Sequence, residues 1–157
     1  MSGTLDGIYQ ELILRHYRSP AHRGDMDAPD AVVTMRNPTC GDDIVLQLRV
    51  KDGVIEEVRF KGQGCAISQA SASMMSGMIA GKSFAEAEPL LARFRDMIHG
   101  DPEAARDKAL GDLRALSGVA RLPRRVKCAM LPWDALEEAQ KQVGASPRDA
   151  EEQRDAE

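Results

Sequence analysis

The chain is poor in the groups that most often announce a function. It has three cysteines among 157 residues, and that odd number excludes a closed disulfide framework. It has no excess of basic charge: 21 Lys and Arg stand against 25 Asp and Glu, a formal net charge of −4, which argues against a nucleic-acid binder. No stretch approaches the roughly 20 apolar residues of a membrane span, so no membrane partner is expected. The first residues, Met1 to Asp6, lack a basic segment followed by an apolar run, so no secretion signal is read there. The expected compartment is the cytoplasm, where thiols stay reduced. Aromatic residues supply only 4% of a chain that is 43% hydrophobic, so any core is mainly aliphatic. The length suits one domain able to bury such a core without staples.

Periodicity then divides the chain. Leu5, Ile8, Tyr9, Leu12, Ile13 and His16 recur at spacings of three and four, predicting an amphipathic helix over 4–18 with Thr4 as N-cap. Ser19-Pro20 stops it, and a polar loop runs from Pro20 to Pro29. Strands are predicted at 31–36, 43–51 and 54–60. In the second, Ile44, Leu46, Leu48 and Val50 share a face, opposed by Val54, Glu56, Val58 and Phe60, and Lys51-Asp52-Gly53 has the signal of a tight hairpin. Helical spacing resumes over 66–80. Ser83 and Glu86 have capping-box spacing before a further helix to about His99, in whose first turn Pro89 is expected. A polar connector with a short helical piece covers 100–111, and a short helix follows near 112–117. Pro123 opens a last helix toward Val143, with Pro132 as a kink or restart. The expectation is an α+β domain over 1–143, a small three-stranded antiparallel sheet covered by five to six helices, followed by a disordered acidic tail at 144–157.

Each cysteine falls at the end of one of these elements. Cys40 lies in the turn Asn37-Pro38-Thr39-Cys40-Gly41-Asp42, two residues before a carboxylate that a turn can bring to the same point. Cys65 follows Gly62-Gln63-Gly64 and opens a helix, where free N–H groups and the helix dipole favour a thiolate. Cys128 sits in the first turns of the last helix, after Arg124, Arg125 and Lys127. Three thiols and Asp42 make up a tetrahedral Zn²⁺ donor set. No Cys-x-x-Cys pair is present, so spacing leaves open three unrelated buried cysteines. Glycines beside Cys40 and Cys65 favour backbone bent closely around a shared centre.

The segments Pro38–Asp42, Gly62–Ser73 and Arg125–Trp133, with Tyr9, His16-Tyr17-Arg18-Ser19-Pro20 and Gly24 before them, resemble the iron–sulfur assembly family of IscU-type and SufU-type proteins over residues 5–143. Lys127 stands where IscU-type scaffolds carry a histidine. Together with the extra residues at about 83–105, the Ala70–Met75 run and Trp133, it makes the chain resemble the SufU branch. That resemblance implies a SufE/NifU-like fold and one Zn²⁺ on Cys40, Asp42, Cys65 and Cys128. It implies sulfurtransferase activity, with sulfane sulfur taken from the persulfide of a SufS-type cysteine desulfurase and passed toward downstream Suf scaffold proteins. Cys40 would be the acceptor, freed by ligand exchange with a histidine of the desulfurase. Arg125 is expected just behind the ligands, pairing with Asp42, with Lys127 beside it. The alternative is a scaffold holding iron or a [2Fe–2S] cluster on the same cysteines.

Other features have plainer readings. Met74, Met75 and Met78 fill a core. Ser68, Ser71 and Ser73 serve helix packing, because no His–Asp pair is expected beside them. His16 lies on a helix face, His22 in a loop and His99 at a helix end. Arg121, Arg124, Arg125 and Lys127 form a basic cluster, either a solvated helix start or a contact surface for the desulfurase.

Overall fold

Alternating apolar residues from Ala31 to Phe60 build a sheet with one buried face, and the helical remainder of the chain packs onto it. The computed structural model describes residues 2–39 and 41–144, with side chains from residue 9 onward. Cys40 and 145–157 lie outside the described residues, and with them all of the expected tail except Gly144. The elements are α1 (Ser2–Arg18), β1 (Ala31–Asn37), β2 (Asp42–Lys51), β3 (Val54–Gln63), α2 (Ala66–Ile79), α3 (Phe84–Ile98), α4 (Pro102–Ala105), a 3-10 segment (Lys108–Arg121) and α5 (Pro123–Gly144). The three strands lie in the order β1-β2-β3, antiparallel throughout.

The β2–β3 hairpin turns at Asp52 and Gly53, both at positive φ (52° and 78°), the conformation that a two-residue turn needs to match strand twist. One expected row changes. A register shift between Arg49 and Val50 sets Val50 opposite Ile55 and Arg49 opposite Glu57, leaving Glu56 as the extra residue. The bulge reverses the alternation at that end. Ile55 is therefore buried with Val58 and Phe60, while Glu56 is exposed and Val54 half-buried.

Two helices cover the buried face, α5 across β1 and β2 and α2 beside β3. Every residue from Ser68 to Ser76 is buried, because α1, α5 and the sheet close around α2 from several sides. Small serines allow that approach, and Ser71 Oγ donates to the Ala129 carbonyl of α5 at 2.7 Å. Met74 and Met75 are buried as core filling.

Helix boundaries differ from expectation in four places. α1 begins at Ser2, so Thr4 lies within it and does not cap it. The capping box of Ser83 and Glu86 forms in both directions, but α3 starts at Phe84 and Pro89 falls in its second turn. The connector gives the short α4 and then a long 3-10 segment, broken at Gly111 (φ 50°, ψ −128°). α5 runs through Pro132 without restarting, since a single missing N–H leaves the rest of a buried helix in place.

At the centre Phe94 of α3 and Trp133 of α5 stack with centroids 5.1 Å apart, both fully buried. Phe94→Ala is expected to cost about 3–5 kcal/mol of unfolding free energy. Urea titration reads it as a lower midpoint at unchanged slope.

Candidate metal and thiol site

The open end of the sheet brings together residues that are far apart in sequence. Asp42 begins β2 opposite Asn37, the last residue of β1, and is 2% exposed. Cys65 occupies the N-cap position of α2, in extended conformation, directly after β3. Its backbone N–H donates to Asp42 Oδ1 at 2.8 Å, and its Sγ lies 4.0 Å from Asp42 Oδ2. Glycine makes this approach possible. A Cβ on Gly64 would collide with Asp42 Oδ1 and Ser68 Oγ, and one on Gly62 would collide with the Asp43 carbonyl.

Cys128 reaches the same point from α5 and is fully buried. Its Sγ accepts from Asn37 Nδ2 at 3.9 Å and lies 3.9 Å from the Arg124 carbonyl. Donor atoms of Asp42, Cys65 and Cys128 all lie within 4.8 Å of one another. Arg125, one turn before the end of this approach, is exposed and turns to the thiols, not to Asp42 as expected. The charge of Cys65, followed by hydrogen bonds to Cys128 and Cys65, holds its guanidinium above the ordinary arginine range. Lys127 is exposed and makes no hydrogen bond or ion pair among the described residues. Cys40 lies outside the described residues.

These three side chains could hold a metal ion. Zn–S distances near 2.3 Å and Zn–O near 2.0–2.2 Å give tetrahedral edges of about 3.5–3.8 Å, against 4.0 Å from Cys65 Sγ to Asp42 Oδ2 and at most 4.8 Å for any pair, so the donors would close by a fraction of an ångström to about one ångström around an ion. Two sulfurs and one carboxylate oxygen are a borderline-soft set that zinc accepts. Burial shields Asp42 and Cys128 from competing water, while Cys65 stays half-buried.

Asn37 has a part that the sequence analysis did not assign. It is 6% exposed, its amide meets Cys128, and its carbonyl accepts from Gly41 N–H at 2.9 Å. The available signal was its place opposite Asp42, visible once the strand is extended by one residue. Ser73 also corrects an expectation. Its Oγ lies 2.8 Å from His16 Nδ1, and His16 Nε2 lies 3.5 Å from Asp112. A His–Asp pair therefore does stand beside a serine. Ser73 is fully buried and already accepts from Ala21 N–H at 2.8 Å, so the group ties α1, α2 and the 3-10 segment together without offering a nucleophile.

An α+β domain with an Asp-Cys-Cys centre at the end of a three-stranded sheet, its Asp42 and Cys128 buried and Cys65 half-buried, defines the class. The chain matches the NifU-like N terminal domain over residues 8–129 and belongs to that family. It is 43% identical to the zinc-dependent sulfurtransferase SufU of Bacillus subtilis over 136 residues, 87% of this chain and 91% of the relative. It is 42% identical to the iron–sulfur cluster assembly scaffold protein IscU of Streptococcus pyogenes, covering 86% and 84% of the two chains. A crystal structure assigned as the SUF-system assembly scaffold of Fervidobacterium islandicum superposes with a TM-score of 0.76 at 34% identity, over 82% of this chain and 93% of that one.

Gly64→Ala is expected to push the Asp42 carboxylate off Cys65 while leaving the helices formed. Competition with a chromophoric chelator should show zinc affinity lowered by about 10–100-fold at an unchanged far-ultraviolet circular dichroism spectrum. Unchanged affinity would mean that the close approach at Gly64 does not position Asp42.

Proposed function

We propose that the chain is a zinc-dependent sulfurtransferase of iron–sulfur cluster assembly. It takes sulfane sulfur from the persulfide of a SufS-type cysteine desulfurase and passes it to downstream Suf scaffold proteins. The observation that carries this reading is the convergence of Asp42, Cys65 and Cys128 within 4.8 Å, with Arg125 turned to both thiols. The identity to a relative named as a zinc-dependent sulfurtransferase supports it.

Asp42, Cys65 and Cys128 would hold the ion, with Cys40 as fourth ligand and sulfur acceptor. Zinc supplies positive charge that keeps the thiols deprotonated, and it brings no redox chemistry of its own. The Arg125 guanidinium adds a second positive charge on the thiol side. Asn37 donates to Cys128 and orients it. In the transfer itself, the Cys40 thiolate attacks the outer sulfur of the donor persulfide. A new S–S bond forms at Cys40, and the donor's S–S bond breaks. The electron pair leaves with the donor's cysteine, which becomes a thiolate and takes up a proton. One sulfane sulfur moves, and no external oxidant or reductant is needed.

A second reading is favoured by the relatives named as IscU scaffolds: assembly of a [2Fe–2S] cluster on the same cysteines. Lys127, in the place of the scaffold histidine, favours the first. The purified chain is expected to carry about one zinc, without visible absorption. After incubation with the desulfurase and cysteine, mass spectrometry is expected to find one added sulfur on Cys40, absent in Cys40→Ala. Iron with visible absorption would favour the scaffold. Undiminished sulfur carriage by Cys40→Ala would overturn the relay.

A further inference from the structure

Beside the thiol site stand two cations with no carboxylate partner among the described residues. Arg23 is clamped by neutral groups alone: one guanidinium nitrogen donates to Gln69 Oε1 at 2.8 Å, the other to the Gly62 carbonyl at 2.7 Å, and its plane lies over the Phe60 ring at 5.9 Å. Arg18, the last residue of α1, is exposed and makes no hydrogen bond or ion pair among the described residues. Both line an open groove of about 370 Å³, together with Tyr17, Gln63, Gly64 and Gln69. Gln69 is 4% exposed and fixes Arg23 in place. Tyr17 is 45% exposed and gives the groove an apolar flank. The groove includes Gly64, where an added Cβ would collide with Asp42 and which precedes Cys65.

A guanidinium fixed in place without a counter-charge is unusual in a chain of net charge −4, where carboxylates outnumber cations. Held by neutral acceptors, it keeps its full charge and its remaining N–H groups for an incoming anion, with little ordering left to do on binding. Exposed Arg124, Arg125 and Lys127 extend the same sign along the start of α5, so the thiol site is flanked by positive charge on two sides.

We propose that this groove seats an extended acidic segment of the protein that delivers the sulfur, its carboxylates on Arg18 and Arg23. The assignment of that partner rests on the sulfur-relay reading; the charge and shape of the groove do not. Such a contact steers encounter and sets the register of the donor loop relative to Cys65 and Asp42.

The test uses the full zinc-loaded chain and a persulfide-free SufS-type desulfurase, with affinity read by isothermal titration calorimetry. Arg18→Glu is expected to weaken binding by at least about tenfold and to flatten the salt dependence. Arg23→Gln should weaken it to a lesser degree at unchanged zinc content. Lys141→Glu makes the same charge reversal near the far end of α5 and should leave affinity within about twofold. Equal effects of Arg18→Glu and Lys141→Glu, no effect of Arg18→Glu, or no binding by the unaltered chain would each overturn the proposal. Weakened binding by Arg18→Glu with no sulfur ever found on Cys40 would uphold the groove while refuting the relay.

Discussion

One hydrogen bond organises the site: the Cys65 N–H to Asp42 Oδ1, 2.8 Å long, at the corner where β3 becomes α2. It draws the carboxylate that starts β2 onto the N-terminus of α2, where helix N–H groups have no partners of their own. Once that corner is closed, the positions of the other groups are constrained. Asn37 is held opposite Asp42 by the ladder, and its amide meets the Cys128 sulfur arriving from α5. The corner tolerates no side chain at Gly62 or Gly64. The packing of α2 against α5, through Ser71 and Ala129, then fixes how far Cys128 reaches.

The surroundings answer the cost of placing such groups together. Two thiols and a carboxylate brought side by side, two of the three buried, repel one another when ionised. A cation between them relieves this, and Arg125 supplies positive charge from the solvent side. The arginine leans on sulfur and not on Asp42, which leaves both carboxylate oxygens committed to Cys65 and the centre. Positive charge around the site also faces outward, through Arg18, Arg23 and the start of α5. An anion approaching this end of the molecule meets attraction even though the chain as a whole is acidic.

Much of this was legible in the residues because it follows from short-range rules. Alternation defined three strands, Asp52-Gly53 defined their hairpin, and Ser83 with Glu86 defined a helix start. The convergence of Asp42, Cys65 and Cys128 was expected from cysteines at element ends with a carboxylate nearby. Zinc and sulfur chemistry, which spacing alone left open, entered only as what the family resemblance implies. What escaped depends on distant packing. The bulge at Glu56 swaps the buried row for reasons visible only in the register with β2. The direction taken by Arg125 is set by where two sulfurs from different elements meet. The Ser73, His16 and Asp112 tie joins residues 57 and 96 positions apart. The sequence assigns Arg18 and Arg23 no role, because only the fold sets them along one groove without a carboxylate partner among the described residues.

The most direct test of the account is X-ray absorption at the zinc edge on the purified chain. The proposed donor set predicts three sulfurs near 2.3 Å and one light atom at about 2.0–2.2 Å. Asp42→Ala should remove or replace the light atom, and Cys40→Ala should remove one sulfur. A shell of light atoms only, or one left unchanged by both substitutions, would contradict it.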